Sequence, residues 1–524
     1  MPNTAWYRNL VVIWTLVLLL PPLGLILLWM RRDSRLAAKL LGSLAAFAFA
    51  VVHLFLFWGL RMEMDGSLTH PIFTLRNRES HSAEIEKRRK EELSIDASQL
   101  QAPLPETTPW VSATAATGAE LRSPPAVDRF YWPEFRGPGR NGIYAGGGML
   151  TDWPSGKLPL LWKRPVGGGY ASVVVADGLI FTIEQRRQKE VVAAYAIDSG
   201  REQWIHGWDA EFRETMGGDG PRATPTWHEG RLYALGATGE FRCLDARSGS
   251  RIWSRNILTD NQAENIPWGM AASPLIVDDK VIVLAGGPHG KSVVAYNRLT
   301  GDPIWKALDD RQAYTSPQLI TLAGRRQILV VSANRAMGLT VENGSLLWEY
   351  PWVTHEGINV AQPIALTDDC FFISAGYDHG AALVEVFRRD DGYGARTVWQ
   401  NNRMKNKFGS SVLYEGYIYG LDEAILACLD PASGELKWKG GRYGYGQLLL
   451  VSGHLIISSE NGVVALVKAS PERYQEIARF PAVEGKTWNV PAIADGRLIV
   501  RNSTEMACFR IAKSEPRALQ PSVK

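Results

Sequence analysis

The segment ASVVVADGLIFTI (171–183) is followed by AYAIDSGREQW (194–204), and this pair of patterns recurs along most of the chain. The first pattern is an apolar strand broken by an Asp-Gly-like turn, and the second is a strand, a turn with Gly and then Trp. Asp or Asn followed by Ser or Thr and Gly is typical of hairpins, since Gly takes the positive φ that the turn requires. Each unit therefore predicts four short antiparallel strands. Further copies of the first pattern lie at 223–235, 272–284 and 490–500, and of the second at 242–253, 295–305, 339–348 and 427–438.

The Trp residues of these units are 39 to 52 residues apart, which is the size of one propeller blade. Eight units can be counted, and the last, which starts near Asn489, lacks its Trp-bearing strand. The stretch PLLWKRPV (159–166) precedes the first full unit and supplies that strand. We therefore predict an all-β, eight-bladed β-propeller whose ring is closed by 160–166 pairing with 505–511, which removes an open edge. The anchors are Trp162, Trp204, Trp253, Trp305, Trp348, Trp399 and Trp438, with Phe480 in place of an eighth.

The repeat resembles the pyrroloquinoline-quinone (PQQ) repeat family of eight-bladed propellers, over about residues 130–512. The lead-in WPEFRGPGRNGIY (132–144) and LLWKRPVGGGY (160–170) are similar to the opening of bacterial extracytoplasmic members named quinoprotein or polyvinyl-alcohol-dehydrogenase-like. The family includes quinoprotein alcohol dehydrogenases and also non-catalytic scaffolds, such as the propeller lipoprotein of the outer-membrane barrel-assembly machinery. The resemblance therefore implies the fold and does not choose between catalysis and scaffolding.

The resemblance also implies what a dehydrogenase of this family would contain. Such an enzyme binds PQQ between a Trp floor and an adjacent-cysteine disulfide, holds Ca²⁺ through Glu, Asn and Asp, and uses an Asp as base. The four cysteines of this chain include no adjacent pair, and no C-x-x-C-H motif is present. PQQ and Ca²⁺ are possible cofactors, but no vicinal Cys pair supports them. The sequence identifies no catalytic residue and no metal site. Cys243, Cys428 and Cys508 share one repeat register, which predicts unpaired thiols in the core.

The segments that lead into the innermost strands should gather around the central axis at one end of the channel, which we call the mouth. They are rich in Arg, Lys and aromatic side chains, and such a concave surface suits an anionic or planar ligand. The alternative is an ordinary polar loop surface with exposed cations. The predicted ligand-binding residues are Tyr170, Arg222, Trp268, Arg311, Tyr314, Lys407, Tyr443 and Trp488.

Two apolar segments of 21 residues, 10–30 and 40–60, precede the repeats, and each is long enough to cross a hydrocarbon core of about 30 Å. Pro21-Pro22 should kink the first helix near its middle. A cleaved signal peptide is the alternative for the first segment, which lacks a small-x-small cleavage site. We therefore predict that 1–62 forms a transmembrane hairpin.

The loop between the two segments carries Arg31, Arg32, Arg35 and Lys39, with only Asp33 opposing them. The positive-inside rule places this loop in the cytoplasm and everything after residue 60 outside. The predicted location is the bacterial inner (cytoplasmic) membrane, with the propeller facing the periplasm or the exterior. The basic cluster at 87–90 argues against this orientation.

A charged helix and a Pro/Ala/Thr-rich linker are predicted over 63–129, and a tail over 513–524. Opposite charges at helical spacing, Glu84–Arg88 and Glu86–Lys90, favour an exposed helix at 78–95. We expect this region to be a solvated stalk, with a docking helix as the alternative.

The charge composition argues against one class of function, nucleic-acid binding. With 57 Lys+Arg against 54 Asp+Glu, the formal charge of +3 does not favour a dedicated nucleic-acid binder. We interpret the chain as an integral membrane-anchored, extracytoplasmic binding or scaffold module with a protein or small-molecule ligand on the propeller face. The alternatives are a PQQ-dependent quinoprotein oxidoreductase resembling alcohol dehydrogenases, and a sugar- or polymer-binding or lyase-type propeller.

Overall fold

The computed structural model describes residues 10–19, 21–30, 35–57, 59–67, 69–75, 78–100, 131–146, 148–151, 153 and 156–512. The linker predicted up to 129, the tail at 513–524 and the loop cations Arg31 and Arg32 lie outside the described residues. The chain divides into two compact units, Met1–Ala83 and Glu84–Lys524.

The first unit contains three apolar helices, α1 (Leu10–Leu19), α2 (Pro21–Met30) and α3 (Leu36–Phe57). The predicted break at the prolines is present, because α1 ends before them and α2 begins with them. Trp14 of α1 and Leu28 of α2 both lie beside Gly42 of α3. The segment 10–30 therefore forms two short helices packed against α3, where the sequence predicted one kinked span.

Among the described residues, only Leu36–Leu54 is a helix long and apolar enough to be a candidate membrane span. This window lies slightly earlier than the predicted second segment. Its outward side is apolar: the exposed fractions are 55% for Leu40, 65% for Leu44 and 67% for Phe47. Such a continuous apolar surface suits contact with lipid.

A short β-hairpin follows α3, which the sequence analysis did not predict. It consists of β1 (Leu60–Met64) and β2 (Pro71–Leu75), paired antiparallel from Leu60↔Leu75 to Met64↔Pro71. The carboxylate of Asp65 accepts a hydrogen bond from the backbone N–H of Ser67, which stabilises the turn. The helix α4 (Arg78–Leu100) begins next and continues into the second unit.

The second unit contains eight four-stranded antiparallel blades, as predicted. Each blade runs from an innermost strand beside the axis to an outermost strand. The innermost strands of blades 8, 1, 2, 3 and 4 contact one another in that order, as do those of blades 6 and 7. Two early strands are used elsewhere in the ring: β3 (Ile143–Tyr144) joins blade 7 and β4 (Leu160–Pro165) joins blade 8.

The blades have the following strands. Blade 1 has β5 (Val174–Ala176), β6 (Leu179–Arg186), β7 (Lys189–Ala196) and β8 (Glu202–Asp209), and blade 2 has β9 (Thr226–His228), β10 (Arg231–Leu235), β11 (Glu240–Asp245) and β12 (Arg251–Asn256). Blade 3 has β13 (Leu275–Val277), β14 (Lys280–Gly287), β15 (Lys291–Asn297) and β16 (Pro303–Ala307), and blade 4 has β17 (Gln318–Leu322), β18 (Arg325–Val331), β19 (Arg335–Leu339) and β20 (Leu346–Pro351). Blade 5 has β21 (Ile364–Ala365), β22 (Cys370–Ala375), β23 (Gly380–Arg389) and β24 (Gly392–Asn401), and blade 6 has β25 (Val412–Tyr414), β26 (Tyr417–Asp422), β27 (Ile425–Leu429) and β28 (Leu436–Arg442). Blade 7 has β29 (Gln447–Val451), β30 (His454–Ser458), β31 (Val463–Lys468) and β32 (Glu476–Pro481), and blade 8 has β33 (Ala492–Ala494), β34 (Arg497–Arg501) and β35 (Glu505–Arg510).

The ring closes through the predicted strand. The strand β4 pairs antiparallel with β35, from Glu505↔Pro165 to Phe509↔Leu160, and becomes the outermost strand of blade 8. Cys508 lies directly opposite Trp162. The prediction that an N-terminal strand completes the last blade is therefore confirmed.

The repeated Trp residues join neighbouring blades. The indole N–H of Trp204 in blade 1 donates to the carbonyl of Ala246 in blade 2, at 3.2 Å. The turn glycine of blade 2, Gly249, has φ of 72° and lies against the same indole, where a Cβ would be 2.4 Å from the ring. Gly is therefore needed both for the turn and for the close approach of the ring. Equivalent indole hydrogen bonds are made by Trp162, Trp253, Trp305, Trp399 and Trp438.

Side chains between residues 85 and 92 of α4 pack against the propeller, so the expectation of a solvated stalk is wrong for this part of the helix. Ile85 is only 1% exposed. Glu92 forms an ion pair with Arg164 of β4 at 3.3 Å, and Arg89 forms one with Glu202 of β8 at 3.0 Å. The docking helix, which was the alternative, is the observed arrangement.

Candidate functional site at the channel mouth

A ring of hydrogen bonds holds the start of the innermost strands. The backbone N–H of one blade donates to a side-chain oxygen of the next: Ser172 to Thr224 at 2.9 Å, then Thr224 to Ser273 at 3.1 Å. The same pattern continues through Ser273, Ser316, Gln362 and Ser410. Asn489 of blade 8 completes the circle, since its amide donates to the carbonyl of Ala171 in blade 1 at 2.8 Å. This belt fixes the segments just ahead of it, which form the mouth.

Aromatic side chains from four blades meet at the mouth. The ring centroids of Tyr170 and Trp488 are 5.4 Å apart, and those of Trp488 and Phe408 are 4.6 Å apart. Phe408 in turn lies 5.8 Å from Tyr445. These separations are typical of direct ring contact. A second pair, Trp268 and Tyr314 at 5.8 Å, lies in the same set of segments.

Lysine side chains are packed onto these rings. The ammonium group of Lys486 is 4.3 Å from the centroid of Trp488 and donates to the carbonyl of Gly217 at 2.9 Å. Lys407 lies 4.5 Å from Tyr377 and 5.0 Å from Tyr445. Both lysines are buried, so they are part of the packed mouth and not exposed surface cations.

Arg222 lies between the two aromatic groups. Its guanidinium is 4.6 Å from the ring of Phe212 and 5.6 Å from that of Tyr170, and it donates to the carbonyl of Gly218. Burial lowers the pKa of Arg222 to about 10, and burial raises the pKa of Tyr314 to about 12. At neutral pH the arginine is therefore charged and the phenol neutral.

All eight predicted residues lie on segments that lead into innermost strands, and seven of them lie at the mouth. The eighth, Tyr443, does not face the channel. Its hydroxyl donates to Glu476 at 2.5 Å and lies 2.8 Å from the hydroxyl of Tyr474, within the core between blades 6 and 7. Gly444 has φ of 62°, and this turn directs Tyr445 toward the mouth while Tyr443 points outward. Arg311 is exposed beside Tyr314. The seven grouped residues are Tyr170, Arg222, Trp268, Arg311, Tyr314, Lys407 and Trp488.

Sequence reasoning missed two carboxylates that hold this arrangement. Glu460 accepts a hydrogen bond from the indole N–H of Trp488 at 2.9 Å and from the backbone N–H of Tyr445 at 3.3 Å. Glu214 accepts from the backbone N–H groups of Gly217 and Gly218. Neither residue lies in the segment that directly precedes an innermost strand, so the repeat register gave no signal for them.

PQQ, the cofactor that the fold family suggests, can be tested against these distances. A planar cofactor inserted between two rings needs them about 7 Å apart, since each face keeps a contact of about 3.5 Å. The rings of Phe408 and Trp488 and those of Tyr170 and Trp488 are closer than this and contact each other directly. Within the described residues, no group of three or more His, Cys, Asp or Glu side chains is placed to hold a metal ion. The residues at this mouth do not fit a quinone–metal pair.

The opposite end of the channel is occupied by the chain itself. We call residues 131–146 the plug segment. Trp132 pairs with Val175 of β5, and β3 pairs in parallel with β29, on the axial side of the innermost strand of blade 7. Arg140 of the plug segment donates to the carbonyls of Ser273 and Pro317, so that it ties blades 3 and 4 together.

Comparison with known proteins gives two kinds of relative. The sequence model described as "Outer membrane protein assembly factor BamB" matches residues 187–440. BamB of Burkholderia pseudomallei is 20% identical over 353 residues, covering 62% of this chain and 81% of that protein. The 1-butanol dehydrogenase (cytochrome c) of Thauera butanivorans is 27% identical over 146 residues, covering 26% of this chain and 20% of the dehydrogenase.

A solved structure supports the same fold. The quinohemoprotein alcohol dehydrogenase ADHIIG of Pseudomonas putida has a TM-score of 0.54 and 13% identity, covering 75% of this chain and 82% of that one. The chain spans only about a fifth of the length of the two dehydrogenases it matches in sequence, at 20% and 22%. With the eight blades described above, the chain has the fold of the PQQ-like β-propellers and is similar in sequence both to BamB proteins and to quinohemoprotein alcohol dehydrogenases.

Proposed function

We propose that this protein is a membrane-anchored, extracytoplasmic scaffold that binds a protein partner at the channel mouth. The observation that carries the proposal is the packing of the mouth. Aromatic rings and buried lysines contact each other there, whereas a dehydrogenase would need a slot between them for its cofactor. Arginine and aromatic side chains are the residue types enriched at protein interfaces, where a few of them supply most of the binding free energy.

Other features of the chain agree with this role. The exposed apolar side of α3 gives a surface for insertion into lipid. On the mouth face, Arg311 and Trp268 are accessible, and Val353 is 61% exposed. Because Arg311 is exposed at the mouth close to aromatic side chains, we expect the partner to offer an acidic group flanked by apolar side chains. The relatives named as outer membrane protein assembly factors favour an envelope partner.

Site-specific photocrosslinking in intact membranes tests the proposal. A photoreactive phenylalanine analogue replaces Trp268 at the mouth, and a matched control replaces Arg247, an exposed turn residue at the opposite end of blade 2. We expect a discrete protein adduct from position 268 and none from 247. Equal labelling from both positions, or none from either, would place the interaction elsewhere.

The PQQ-dependent oxidoreductase is the second candidate, because dehydrogenases are among the sequence relatives. Incubation of the purified protein with PQQ and Ca²⁺ separates the two. Retained quinone absorbance together with dye-linked alcohol oxidation would establish the enzyme and contradict the scaffold. We expect neither signal.

A further inference from the structure

Two arginines of the plug segment are buried near the channel axis, and their surroundings differ. The guanidinium of Arg140 pairs with Glu134 at 2.7 Å and donates to the carbonyls of Ser273, Pro274 and Pro317 and to the hydroxyl of Thr226. Its charge is balanced and its donors are used. This residue is a structural crosslink between blades.

Arg136 is 1% exposed, and its guanidinium has fewer hydrogen-bond partners than that of Arg140. Its Nη2 donates to the carbonyls of Ser411 at 3.0 Å and Asn141 at 3.4 Å, while Nε and Nη1 have no hydrogen-bond partner. Three of its five N–H donors are therefore unused. No carboxylate among the described residues is paired with it. An isolated buried cation carries a large desolvation cost unless an anion or further acceptors compensate it.

Arg136 is one of the residues that line a cavity of about 270 Å³. Its buried floor is polar and contains Arg136, Arg140, Gln318, Gln362 and Ser411. Its rim is more exposed and mixed: the apolar side chains of Leu319, Ile320, Ile364 and Ala365 lie there together with Gly139, Asn141 and Thr321. The cavity lies along the innermost strands of blades 4 and 5, where β21 has only two residues. We call it the far cavity.

We propose that the far cavity is a binding site for a carboxylate group, which Arg136 holds through its unused N–H donors. No acidic residue lines the cavity, and since Glu134 neutralises Arg140, the floor has one uncompensated positive charge. One negative charge balances it, whereas a dianion would leave an excess charge in a buried site. The apolar side chains of the rim favour an organic substituent on the anion over a bare inorganic ion. Burial lowers the pKa of Arg136 to about 10, which still leaves it a cation at neutral pH.

Two kinds of ligand carry such a carboxylate: a short free carboxylic acid, and a polypeptide with a free C-terminus. Both are tested on the full-length protein by calorimetry and thermal unfolding, with butyrate, with butyramide as its uncharged analogue, and with an N-acetylated tetrapeptide with either a free or an amidated C-terminus. We expect butyrate or the free-terminus peptide to bind and raise Tm by about 2 °C or more, and butyramide and the amidated peptide to do neither. The tighter of the two carboxylates identifies the source.

The variant Arg136→Gln should weaken the binding carboxylate at least tenfold, and Arg136→Lys should retain part of it. Arg247, an exposed turn residue that does not line the cavity, gives the control Arg247→Gln, with unchanged affinity. The comparison of ligands on the unaltered protein stands even where a variant folds poorly. Equal binding of butyrate and butyramide, tighter binding of sulfate than of either carboxylate, or unchanged affinity in Arg136→Gln would overturn the proposal.

Discussion

Arg164 of β4 and Glu92 of α4 form an ion pair at 3.3 Å beside the strand that closes the ring. The side chain of Arg164 is fully buried, and its guanidinium lies 4.6 Å from the ring of Tyr195 in blade 1. The helix therefore supplies the carboxylate for a cation located between the last blade and the first. The pairing of β4 with β35 closes the ring, and α4 therefore supports the point where closure depends on a segment that is distant in sequence.

The charges at this join continue into blade 1. Arg186 contacts Glu184 at 2.5 Å and Glu202 at 2.7 Å, and Arg501 of blade 8 donates to the carbonyl of Gly167. Burial alone would raise the pKa of Glu184, but the neighbouring Arg186 and Arg501 outweigh it and hold that pKa below its ordinary value. Glu184 is therefore ionised at neutral pH, and its charge depends on the two arginines.

Replacement Glu92→Ala should lower the free energy of unfolding by about 3 kcal/mol, because it leaves Arg164 as a buried cation without its carboxylate. Urea unfolding of the purified protein measures this difference. The control is Glu91→Ala on the same helix, whose pair with Lys87 is exposed and long at 3.9 Å, and it should cost less than about 1 kcal/mol. Equal effects of the two substitutions would show that α4 does not stabilise the join.

Deletion of 159–166 should abolish cooperative unfolding, because it removes β4 and exposes the edge of β35 along its whole length. Truncation after Ala512 retains every pairing described for blade 8 and should leave Tm within about 1 °C. Circular dichroism melting of both variants is the measurement. Mild and similar changes in the two would contradict closure by the N-terminal strand.

The blade architecture could be predicted from the sequence because its determinants are local and repeated. A turn glycine and a Trp at fixed spacing specify each hairpin, and the contact between Gly249 and Trp204 shows why both are required. The ring closure could be predicted for the same reason, since blade 8 lacked one strand that 160–166 supplied.

The docking of α4 and the roles of Arg136 and Tyr443 could not be predicted in this way. Glu92 and Arg164 are 72 residues apart and belong to no repeat, so nothing local indicates that they meet. Tyr443 and Tyr445 are two residues apart in one loop, and the positive φ of Gly444 between them decides which one faces the mouth. A backbone reversal of this kind is not visible in a pattern of residue types.

The four cysteines are free, and they should differ in reactivity. Burial raises the pKa of Cys508 to about 12 and those of Cys243 and Cys428 to about 11, while Cys370 is only partly buried. Since the thiolate is the reactive form, a disulfide reagent at pH 8 should label Cys370 first and the other three only after unfolding. The variant Cys370→Ser should lose the early phase of labelling. An early phase that survives this substitution would show that a core thiol is accessible.

The last prediction concerns Glu190 of β7, a fully buried carboxyl group. It accepts hydrogen bonds from the backbone N–H of Ala237 at 2.8 Å and from the indole of Trp208 at 3.0 Å. Burial outweighs both and raises its pKa from 4.5 to about 7. The folded protein therefore binds this proton more tightly than the unfolded chain does. The resulting stabilisation is complete below about pH 4.5 and is lost as the pH rises through 7.

Between pH 5 and pH 8, ionisation of Glu190 should reduce the free energy of unfolding by about 2 kcal/mol, from a shift worth about 1.4 kcal/mol per pKa unit. Glu190→Gln removes the titrating group. The free energy of unfolding of this variant, minus that of the unaltered protein, should therefore increase by the same amount as the pH rises from 5 to 8. Glu342→Gln, at a side chain 74% exposed, is the control and should show a nearly constant difference. Urea titrations at pH 5, 6, 7 and 8 give the three curves. Parallel curves for the unaltered protein and Glu190→Gln would mean that this carboxyl stays ionised across the whole range, held by its two N–H donors in spite of its burial.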